Sequence, residues 1–310
     1  MFLITGAAGF VGANLCRRLA QAGEEVHALV KPATSLWRLE AIRDRLHIHT
    51  ADICDGEQIN RLVEIIQPTI VYHLATHGAY HYQTVIQKIL LVNVLGLWNL
   101  LNACNRVGYE LFVNTGSSSE YGRKPIAMQE TDLLSPNSFY AVAKSAQSLL
   151  CQYSAQASDH AIVTLRLFSV YGPYEEPTRL IPQLIMAALN HTCLDMVAPG
   201  TARDFVYVDD VVDVYLGIEK LRPLRGEILN VGTGVQTSLA QVVSALEESS
   251  GIKLDVRWNS MPPRLWDTDV WVADISKLRR LTGYSPQTYI REGLARCLSW
   301  FSDHRHLYGG

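Results

Sequence analysis

Short apolar segments alternate with longer amphipathic segments along the first half of the chain. The predicted strands, rich in β-branched residues, cover 2–5, 25–30, 47–50, 69–73, 111–115 and 161–167. The predicted helices between them cover 11–22, 56–67, 85–107 and 139–156. Strands and helices that alternate at this spacing are typically joined by right-handed crossovers. The pattern therefore predicts an α/β fold with a doubly wound parallel sheet.

The pattern loosens after residue 168, where turn signals such as Gly172-Pro173 and Pro199-Gly200 separate shorter elements. We therefore predict a first domain over 1–168 and a smaller C-terminal lobe over 169–310. Two strand-like segments of the lobe, 204–208 and 227–231, can return to the main sheet. The predicted boundary is for this reason not one clean cut, with returning segments near 203–233.

Composition narrows the class of protein. The 310 residues are 48% hydrophobic and 18% charged, with a formal net charge of -3, which is typical of a globular protein without a bulk cationic surface for nucleic acid. No stretch approaches the ~20 apolar residues that span a bilayer, and the N-terminus lacks the basic region of a signal peptide. We expect a cytoplasmic protein with neither nucleic acid nor membrane as partner.

Cysteine and histidine spacing argues against a metal site. The six cysteines are scattered without a CxxC pair, and the ten histidines show no HExxH spacing. The cysteines are best interpreted as buried apolar residues in a reducing compartment. We therefore expect neither disulfides nor metal.

A glycine-rich turn, TGAAGFVG at 5–12, follows the first predicted strand and opens the first helix. Gly6 permits a tight turn, Gly9 lets backbone amides approach a pyrophosphate, and Gly12 lets the helix pack closely on the strand. The phosphates would lie at the helix N-terminus, beside Phe10 and Val11. The alternative is a turn without a ligand. Placement between a first strand and a first helix favours a dinucleotide site on a Rossmann sheet.

The choice between NAD and NADP depends on the end of the second strand. An acidic residue there would accept a hydrogen bond from the ribose 2′-hydroxyl of NAD. Val30 occupies that place and Lys31 follows it. A cation suits the 2′-phosphate of NADP, so NADP is slightly favoured over NAD. The alternative is a solvated surface lysine.

Further candidates for cofactor binding follow the third and fourth strands. Asp52-Ile53 could bracket an adenine, and Leu74-Ala75, after His73, would line the path of the dinucleotide. His73 could equally be a hydrogen-bonded core residue. Asn93 interrupts an otherwise apolar helix face and must find a buried partner.

Tyr140 and Lys144 are one helical turn apart on one predicted helix face. A free tyrosine titrates near ~10, so acid–base chemistry near neutral pH requires a fall of about 3 units, or ~4 kcal/mol. A lysine ammonium and a positive nicotinamide ring both stabilise the phenolate. The alternative is a tyrosine packed on a lysine stem. Residues 117–119, three serines after the fifth strand, could hydrogen-bond the reacting substrate oxygen or form an ordinary turn.

With these residues, the chain resembles the extended short-chain dehydrogenase/reductase family, in its nucleotide-sugar epimerase, dehydratase and 4-keto reductase branch. The resemblance covers nearly the whole chain. It rests on TGAAGFVG (5–12), DI (52–53), YHLA (72–75), Asn93, SSSEYG (117–122), YAVAK (140–144), RLFSVYGP (166–173), RDFVYVDDV (203–211) and NVGTG (230–234).

The resemblance implies roles for single residues. Tyr140 would be the acid/base, Lys144 would bind the nicotinamide ribose, and Ser117 would hold the catalytic Ser/Thr position. Arg203 and Arg264 match arginines that grip the substrate diphosphate, for which guanidinium forks are suited; a surface ion pair is their alternative. Further substrate contacts are expected at His77, Ser118, Ser119 and Ser169. A homodimer through the helices 85–107 and 139–156 is also implied.

Departures from the family pattern bear on the exact reaction. Family 4,6-dehydratases carry acids directly after the catalytic threonine, whereas Glu120 comes one position late and reaches the glutamate place only through a gap. Family 4-epimerases usually have an acid at Val30 and often Asn at Ser169. We therefore expect hydride transfer at C4 of a nucleoside-diphosphate hexose or deoxyhexose, with 4-keto reduction slightly favoured over 4-epimerisation. A 4,6-dehydratase is the alternative, and a non-catalytic NADP-binding sensor or scaffold is a distant one.

Overall fold

The structure, a computed structural model, describes residues 1–80, 82–262 and 268–308. Its strands are β1 (Phe2–Thr5), β2 (Val26–Val30), β3 (His47–Thr50), β4 (Ile70–His73), β5 (Leu111–Ser117), β6 (Ile162–Leu167), β7 (Ser169–Tyr171), β8 (Leu194–Asp195), β9 (Ala202–Arg203), β10 (Phe205–Tyr207), β11 (Ile228–Val231), β12 (Thr237–Ser238) and β13 (Val256–Arg257).

The helices in the same residues are α1 (Phe10–Gln21), α2 (Gly56–Ile66), α3 (Ile86–Leu90), α4 (Gly96–Val107), α5 (Phe139–Ala157), α6 (Leu180–Asn190), α7 (Val208–Leu216), α8 (Ile218–Leu221), α9 (Leu239–Ser250), α10 (Ser276–Thr282) and α11 (Ile290–Asp303). A π-helical turn over Leu91–Leu95 joins α3 to α4. Short 3-10 helices cover Glu40–Arg45, Ser118–Tyr121 and Arg305–Tyr308.

Seven strands form one sheet in the order β11-β6-β5-β4-β1-β2-β3. β1 pairs in parallel with β2 and β4, β2 with β3, and β4 with β5. This confirms the predicted doubly wound parallel sheet. The strand order reverses at β1 and β4, and ligands of such sheets bind beyond the carboxyl ends of the strands at this reversal.

The chain divides into two compact units. Unit 1 comprises residues 1–122, 133–166 and 215–229, and unit 2 comprises 123–132, 167–214 and 230–310. The segment 123–132 therefore belongs to unit 2, although the predicted first domain includes it. The segment 215–229 belongs to unit 1, although the predicted lobe includes it.

Each unit has its own apolar core. In unit 1, residues of the sheet pack against α2 and α4 because their alternate side chains face the same helical layer. That core includes Leu3, Leu29, Val63, Val71, Leu97, Leu100, Leu101 and Phe112. In unit 2, the core joins α6, α9 and α11 and includes Leu184, Ile185, Val242, Leu246, Leu294 and Phe301.

The two segments expected to return to the main sheet behave differently. Residues 228–231 form β11 and join it beside β6. Residues 205–207 form β10, which pairs in parallel with β7 in a separate two-stranded sheet. The strand expected within 204–208 is therefore present, but its expected return to the main sheet was wrong, because an apolar β-branched run predicts a strand but not its partner.

One helical stretch, Ile86–Val107, is 22 residues long and apolar enough to cross a membrane by length and composition alone. The expectation that no stretch approaches this length was therefore wrong. The same stretch contains Asn93, which is fully buried, and Asn99, whose Nδ2 donates to the Ile53 carbonyl 3.0 Å away. Its α4 part packs on α2, as a core helix does.

Candidate active site

The glycine turn between β1 and α1 is held by close backbone contacts. Gly6 has a φ of +67°, and a Cβ on it would lie 2.6 Å from the carbonyl carbon of Leu74. A Cβ on Gly12 would collide with the Gly6 carbonyl oxygen. Only glycine therefore fits at these two positions, and the turn lies directly against the chain that follows β4.

The N-terminus of α1 has the features of an anion site. Gly9 is the N-cap residue, is exposed, and has no side chain to cap the helix. The N–H groups of the first turn, at Phe10 to Gly12, have no intrahelical acceptors. They and the helix dipole favour a phosphate group. The turn thus fits the pyrophosphate of a dinucleotide.

A buried hydrogen-bond chain supports the turn from below. His73 Nδ1 lies 2.8 Å from Thr5 Oγ1, which also accepts from the Ala75 N–H at 3.2 Å. Gln147 Nε2 lies 3.3 Å from His73 Nε2. Burial, together with the Lys144 charge, lowers the pKa of His73 to about 3. His73 is thus the neutral core histidine of the two alternatives, and it fixes the segment that carries Leu74 and Ala75.

Asn93 fixes the next part of the same loop. It lies in the π-helical turn, and its Oδ1 accepts from the His77 N–H at 2.9 Å and from Thr76 Oγ1 at 3.0 Å. Its Nδ2 donates to the His77 carbonyl at 2.7 Å. The buried partner expected for Asn93 is therefore this loop. Burial, followed by the charges of Lys88 and Lys31, lowers the pKa of half-buried His77.

The predicted cofactor-binding residues after β2 and β3 differ in the exposure of their side chains. Lys31 and Asp52 are exposed, and Asp52 Oδ1 accepts from the Cys54 N–H at 2.9 Å. Ile53 is buried, and its Cγ2 would lie 2.7 Å from a Cβ on Gly96. The Ile53 side chain therefore belongs to the core, and only its backbone is left to contact a ligand.

Two arginines near the glycine turn were not selected from the sequence. Arg38 is buried, its Nη1 lies 3.4 Å from the Ala8 carbonyl oxygen, and its guanidinium lies 4.3 Å from the Trp37 ring. Arg17 donates to the Arg38 carbonyl. The only signal in the sequence was an arginine eight residues after the end of β2, whose burial the sequence does not show.

Tyr140 and Lys144 meet in the first turns of α5. Lys144 is 2% exposed, and its Nζ donates to the Thr115 carbonyl at 2.9 Å. The same Nζ lies 5.9 Å from the centre of the half-buried Tyr140 ring. Burial, opposed by the charge of Glu120, lowers the pKa of Lys144 to about 8. The structure therefore holds a cation beside Tyr140 at the carboxyl end of β5.

Ser117 ends β5 and caps the 3-10 turn that follows. Its Oγ accepts from the Ser119 N–H at 3.2 Å, and its N–H donates to Glu120 Oε1 at 2.8 Å. Ser117 Oγ also lies 3.1 Å from Ser119 Oγ. Ser118 is buried in the turn, whereas Ser117 and Ser119 are half-buried. The three serines therefore stand within one rigid turn.

Glu120 anchors this turn in the core. It is fully buried, and its Oε2 accepts from Arg166 Nε and from Ser148 Oγ, each at 2.7 Å. The Arg166 guanidinium lies 4.7 Å from the Tyr121 ring. Sequence reasoning missed this ion pair, although an arginine inside the apolar strand β6 signals a buried acidic partner.

The predicted substrate residues of unit 2 have local partners. Arg203 Nη1 donates to the Ala202 carbonyl at 2.7 Å, and its guanidinium lies 5.3 Å from the Trp271 ring. Half-buried Ser169 donates its N–H to the Asp204 carbonyl. Arg264 lies outside the described residues.

Asp204, which the sequence analysis did not select, organises the NVGTG turn. Its buried carboxylate accepts from the N–H groups of Thr233, Gly234 and Ala273, at 2.8, 3.0 and 3.1 Å. Thr233 Oγ1 adds a fourth bond at 2.6 Å. Asp204 thus fixes the strand that presents Arg203.

The chain is similar to known proteins over nearly its whole length. The family model described as "NAD dependent epimerase/dehydratase family" matches residues 2–232. The chain is 30% identical to "Uncharacterized UDP-glucose epimerase YtcB" of Bacillus subtilis (strain 168), with 99% of each chain covered. Among solved structures, MoeE5 in complex with UDP-glucuronic acid and NAD has a TM-score of 0.86 and 31% identity, covering 98% of this chain and 99% of that one.

A second solved structure is UDP-glucuronic acid 4-epimerase from Bacillus cereus in complex with UDP-glucuronic acid and NAD. It has a TM-score of 0.86 and 28% identity, and the match covers 98% of this chain and 99% of that chain. These likenesses extend over both units.

Proposed function

Because the chain belongs to the NAD dependent epimerase/dehydratase family, we propose that it is a 4-epimerase of a UDP-linked hexose, of the UDP-glucose or UDP-glucuronate type. Its general class is an enzyme of the extended short-chain dehydrogenase/reductase type, acting on nucleotide sugars by hydride transfer at C4. That class is the one expected from the sequence.

The observation that carries the proposal is the buried Lys144 ammonium beside the Tyr140 ring, bonded to the end of β5. Its positive charge stabilises a phenolate, so Tyr140 can take the proton from a sugar 4-hydroxyl and later return it. Ser117, on its fixed turn, would hydrogen-bond the same oxygen. A nicotinamide dinucleotide, held by the glycine turn and Lys144, would supply the hydride acceptor and donor that inversion at C4 requires.

The position of the Glu120 carboxylate argues against the dehydratase alternative. Dehydration across C5 and C6 needs an acid that can reach the sugar, and Glu120 was the candidate left by the sequence. Its carboxylate is instead bonded to Arg166, Ser148 and the Ser117 N–H. This arrangement supports a reaction at C4 alone.

Net 4-keto reduction, which the sequence slightly favours, is the second candidate. The named relatives include a 4-epimerase and a chain called a UDP-glucose epimerase, so we give epimerisation the greater weight. The two reactions need the same Tyr140 chemistry. They differ in whether the hydride comes from the substrate or from external reduced cofactor.

The cofactor is a nicotinamide dinucleotide, and its preference for NADP stays a prediction. The absence of an acid at Val30, the exposed Lys31 and the position of Arg38 beside Ala8 support a 2′-phosphate. The two solved neighbours hold NAD. Mass spectrometry of the cofactor released by denaturing the purified enzyme distinguishes NAD from NADP. Retained NAD⁺ supports epimerisation, whereas empty protein stabilised by NADPH supports reduction.

The catalytic proposal is tested with Tyr140→Phe. The wild-type enzyme should convert UDP-glucose or UDP-glucuronate to its C4 epimer, followed by proton NMR. The variant should bind cofactor within a few-fold of wild type and lose roughly 10²–10⁴-fold in turnover. Tyr289→Phe, at an exposed tyrosine, is the matched control. A Tyr140→Phe enzyme with a large share of the wild-type rate removes Tyr140 from the mechanism.

The remaining roles follow from the same function. The dinucleotide would bind through Gly6, Gly9, Phe10, Val11, Gly12, Lys31, Asp52, Ile53, Leu74, Ala75, Asn93, Tyr140 and Lys144. The nucleotide sugar would bind through His77, Ser118, Ser119, Ser169, Arg203 and Arg264. Free thiols at all six cysteines, four of them buried, support a cytoplasmic location.

A homodimer would cover an apolar face on α3, the π turn, α4 and α5. Its large apolar side chains are exposed by 40% or more: Val85, Ile86, Leu90, Leu91, Leu95, Trp98, Phe139, Val142, Leu149 and Tyr153. Contiguous exposed apolar surface marks an interaction site. Light scattering should give a dimer that Leu91→Glu dissociates and Ile65→Glu, at an 80% exposed position on α2, leaves intact. A monomeric wild type contradicts the proposal.

A further inference from the structure

Three histidines and a glutamate meet at the amino-terminal ends of β2 and β3. The strands pair in parallel with His27 opposite His47, and His49 is on the same face as His47 because strand side chains alternate. Glu25 directly precedes β2. The glycine turn follows the carboxyl end of β1, and β1 and β2 are parallel. The cluster therefore lies at the opposite ends of the strands from the candidate cofactor site.

The cluster has the dimensions of a metal site. One carboxylate oxygen of Glu25 and one ring nitrogen each of His27 and His47 all lie within 4.8 Å of one another. Ligands at ~2.1 Å around a tetrahedral ion are about 3.4 Å apart. Glu25 and His47 are exposed, so rotation of their side chains can close the difference.

His49 completes the arrangement from the other side of His27. Its Nε2 lies 2.9 Å from His27 Nδ1, and the two rings are within 5° of parallel. His27 Nε2, the other ring nitrogen, lies 3.1 Å from Glu25 Oε1. An ion bound at Nε2 places the His27 proton on Nδ1, where His49 can accept it. Histidine ligands of metals regularly make such a second bond, which fixes their tautomer and orientation.

We propose that Glu25, His27 and His47 bind a divalent cation of the zinc class, with His49 as a positioning residue. Two imidazoles and a carboxylate suit Zn²⁺ and its first-row neighbours, whereas Mg²⁺ and Ca²⁺ prefer oxygen ligands. A fourth position is left for water. The ion would join the edge strand β3 to β2 and act on stability, not on the chemistry at C4.

The sequence predicted no metal because spacing along the chain cannot show that register brings residues 25, 27 and 47 together.

Binding is measured by titrating chelator-treated enzyme with Zn²⁺ in competition with a chromophoric chelator. We expect one equivalent to bind, a higher thermal midpoint with Zn²⁺ present, and X-ray absorption showing only nitrogen and oxygen ligands near ~2.0–2.2 Å. Glu25→Gln and His47→Gln, at exposed positions, should each weaken binding at least ~10-fold. His49→Phe should weaken it roughly 10–100-fold.

His306→Ala removes an exposed histidine elsewhere and is the matched control, with unchanged affinity. Turnover of nucleotide sugar should be unchanged in all four variants, so the outcome is independent of the proposed function. If His27→Gln impairs folding, the exposed Glu25 and His47 variants still decide the case. Absence of Zn²⁺ binding, or affinity that Glu25→Gln and His47→Gln leave at the wild-type value, overturns the proposal.

Discussion

Polar side chains gather near the carboxyl ends of the main sheet's strands, called here the carboxyl edge, and at the amino ends of β2 and β3, called the amino edge. The two groups differ in how exposed they are. At the carboxyl edge, Thr5, His73 and Lys144 are buried, and their polar atoms are bonded to neighbours. At the amino edge, Glu25 and His47 are exposed and can still rotate. Burial fixes protonation state and orientation, as catalysis requires, whereas exposure leaves ligand atoms available to an ion.

The largest expected effect is at the buried cation. Lys144→Met removes the charge beside Tyr140 and should lower turnover roughly 10²–10⁴-fold, because the phenolate loses its stabilising partner. Turnover measured by NMR with saturating substrate checks this. Lys220→Met, at an exposed lysine, should match wild type. Equal rates for Lys144→Met and wild type would separate the cation from the chemistry.

The next effect concerns stability at the carboxyl edge. Arg166→Met leaves Glu120 as an unpaired charge in the core, which should lower the free energy of unfolding by about 3–5 kcal/mol. Replacing both partners, with Glu120→Gln added, should recover part of the loss. Urea unfolding of the three proteins measures it. A single variant as stable as wild type would show that the buried pair contributes nothing.

The smallest expected effect is a difference in how the unfolding free energy depends on pH, and it concerns His73 at the carboxyl edge. His73 has a pKa of about 3 when folded and ~6.5 when unfolded, so its stabilising contribution is complete above ~6.5 and is lost as pH falls towards 3. Between pH 7.5 and 5 the unfolding free energy should fall by about 2 kcal/mol more in wild type than in His73→Asn. His49→Gln, at the amino edge, should change the pH dependence of the unfolding free energy less. Equal slopes for wild type and His73→Asn would contradict a buried neutral His73.

The sequence predicted contacts between residues that are close along the chain better than contacts between residues that are far apart. Tyr140 and Lys144 are one turn apart, so helix geometry alone predicts that they meet, and the glycine turn follows from strand–helix order. Glu120 and Arg166 are 46 residues apart, and their pairing depends on how β5 and β6 align. The same holds for His27 and His47, whose contact is a matter of strand register. The partner of β10 was mispredicted for this reason.

The π-helical turn before α4 sets a limit on how this chain can vary in length. Each residue of an α-helix advances ~100° around the axis, so a turn with one extra residue shifts everything after it on the cylinder. Within that turn Asn93 is fully buried, while Leu91 and Leu95 on either side are exposed. Deletion of a single codon within 91–95 would rotate one half of the helix against the other. The His77 N–H and the Thr76 hydroxyl would then lose their acceptor, and the apolar face on α3, the π turn, α4 and α5 would be interrupted.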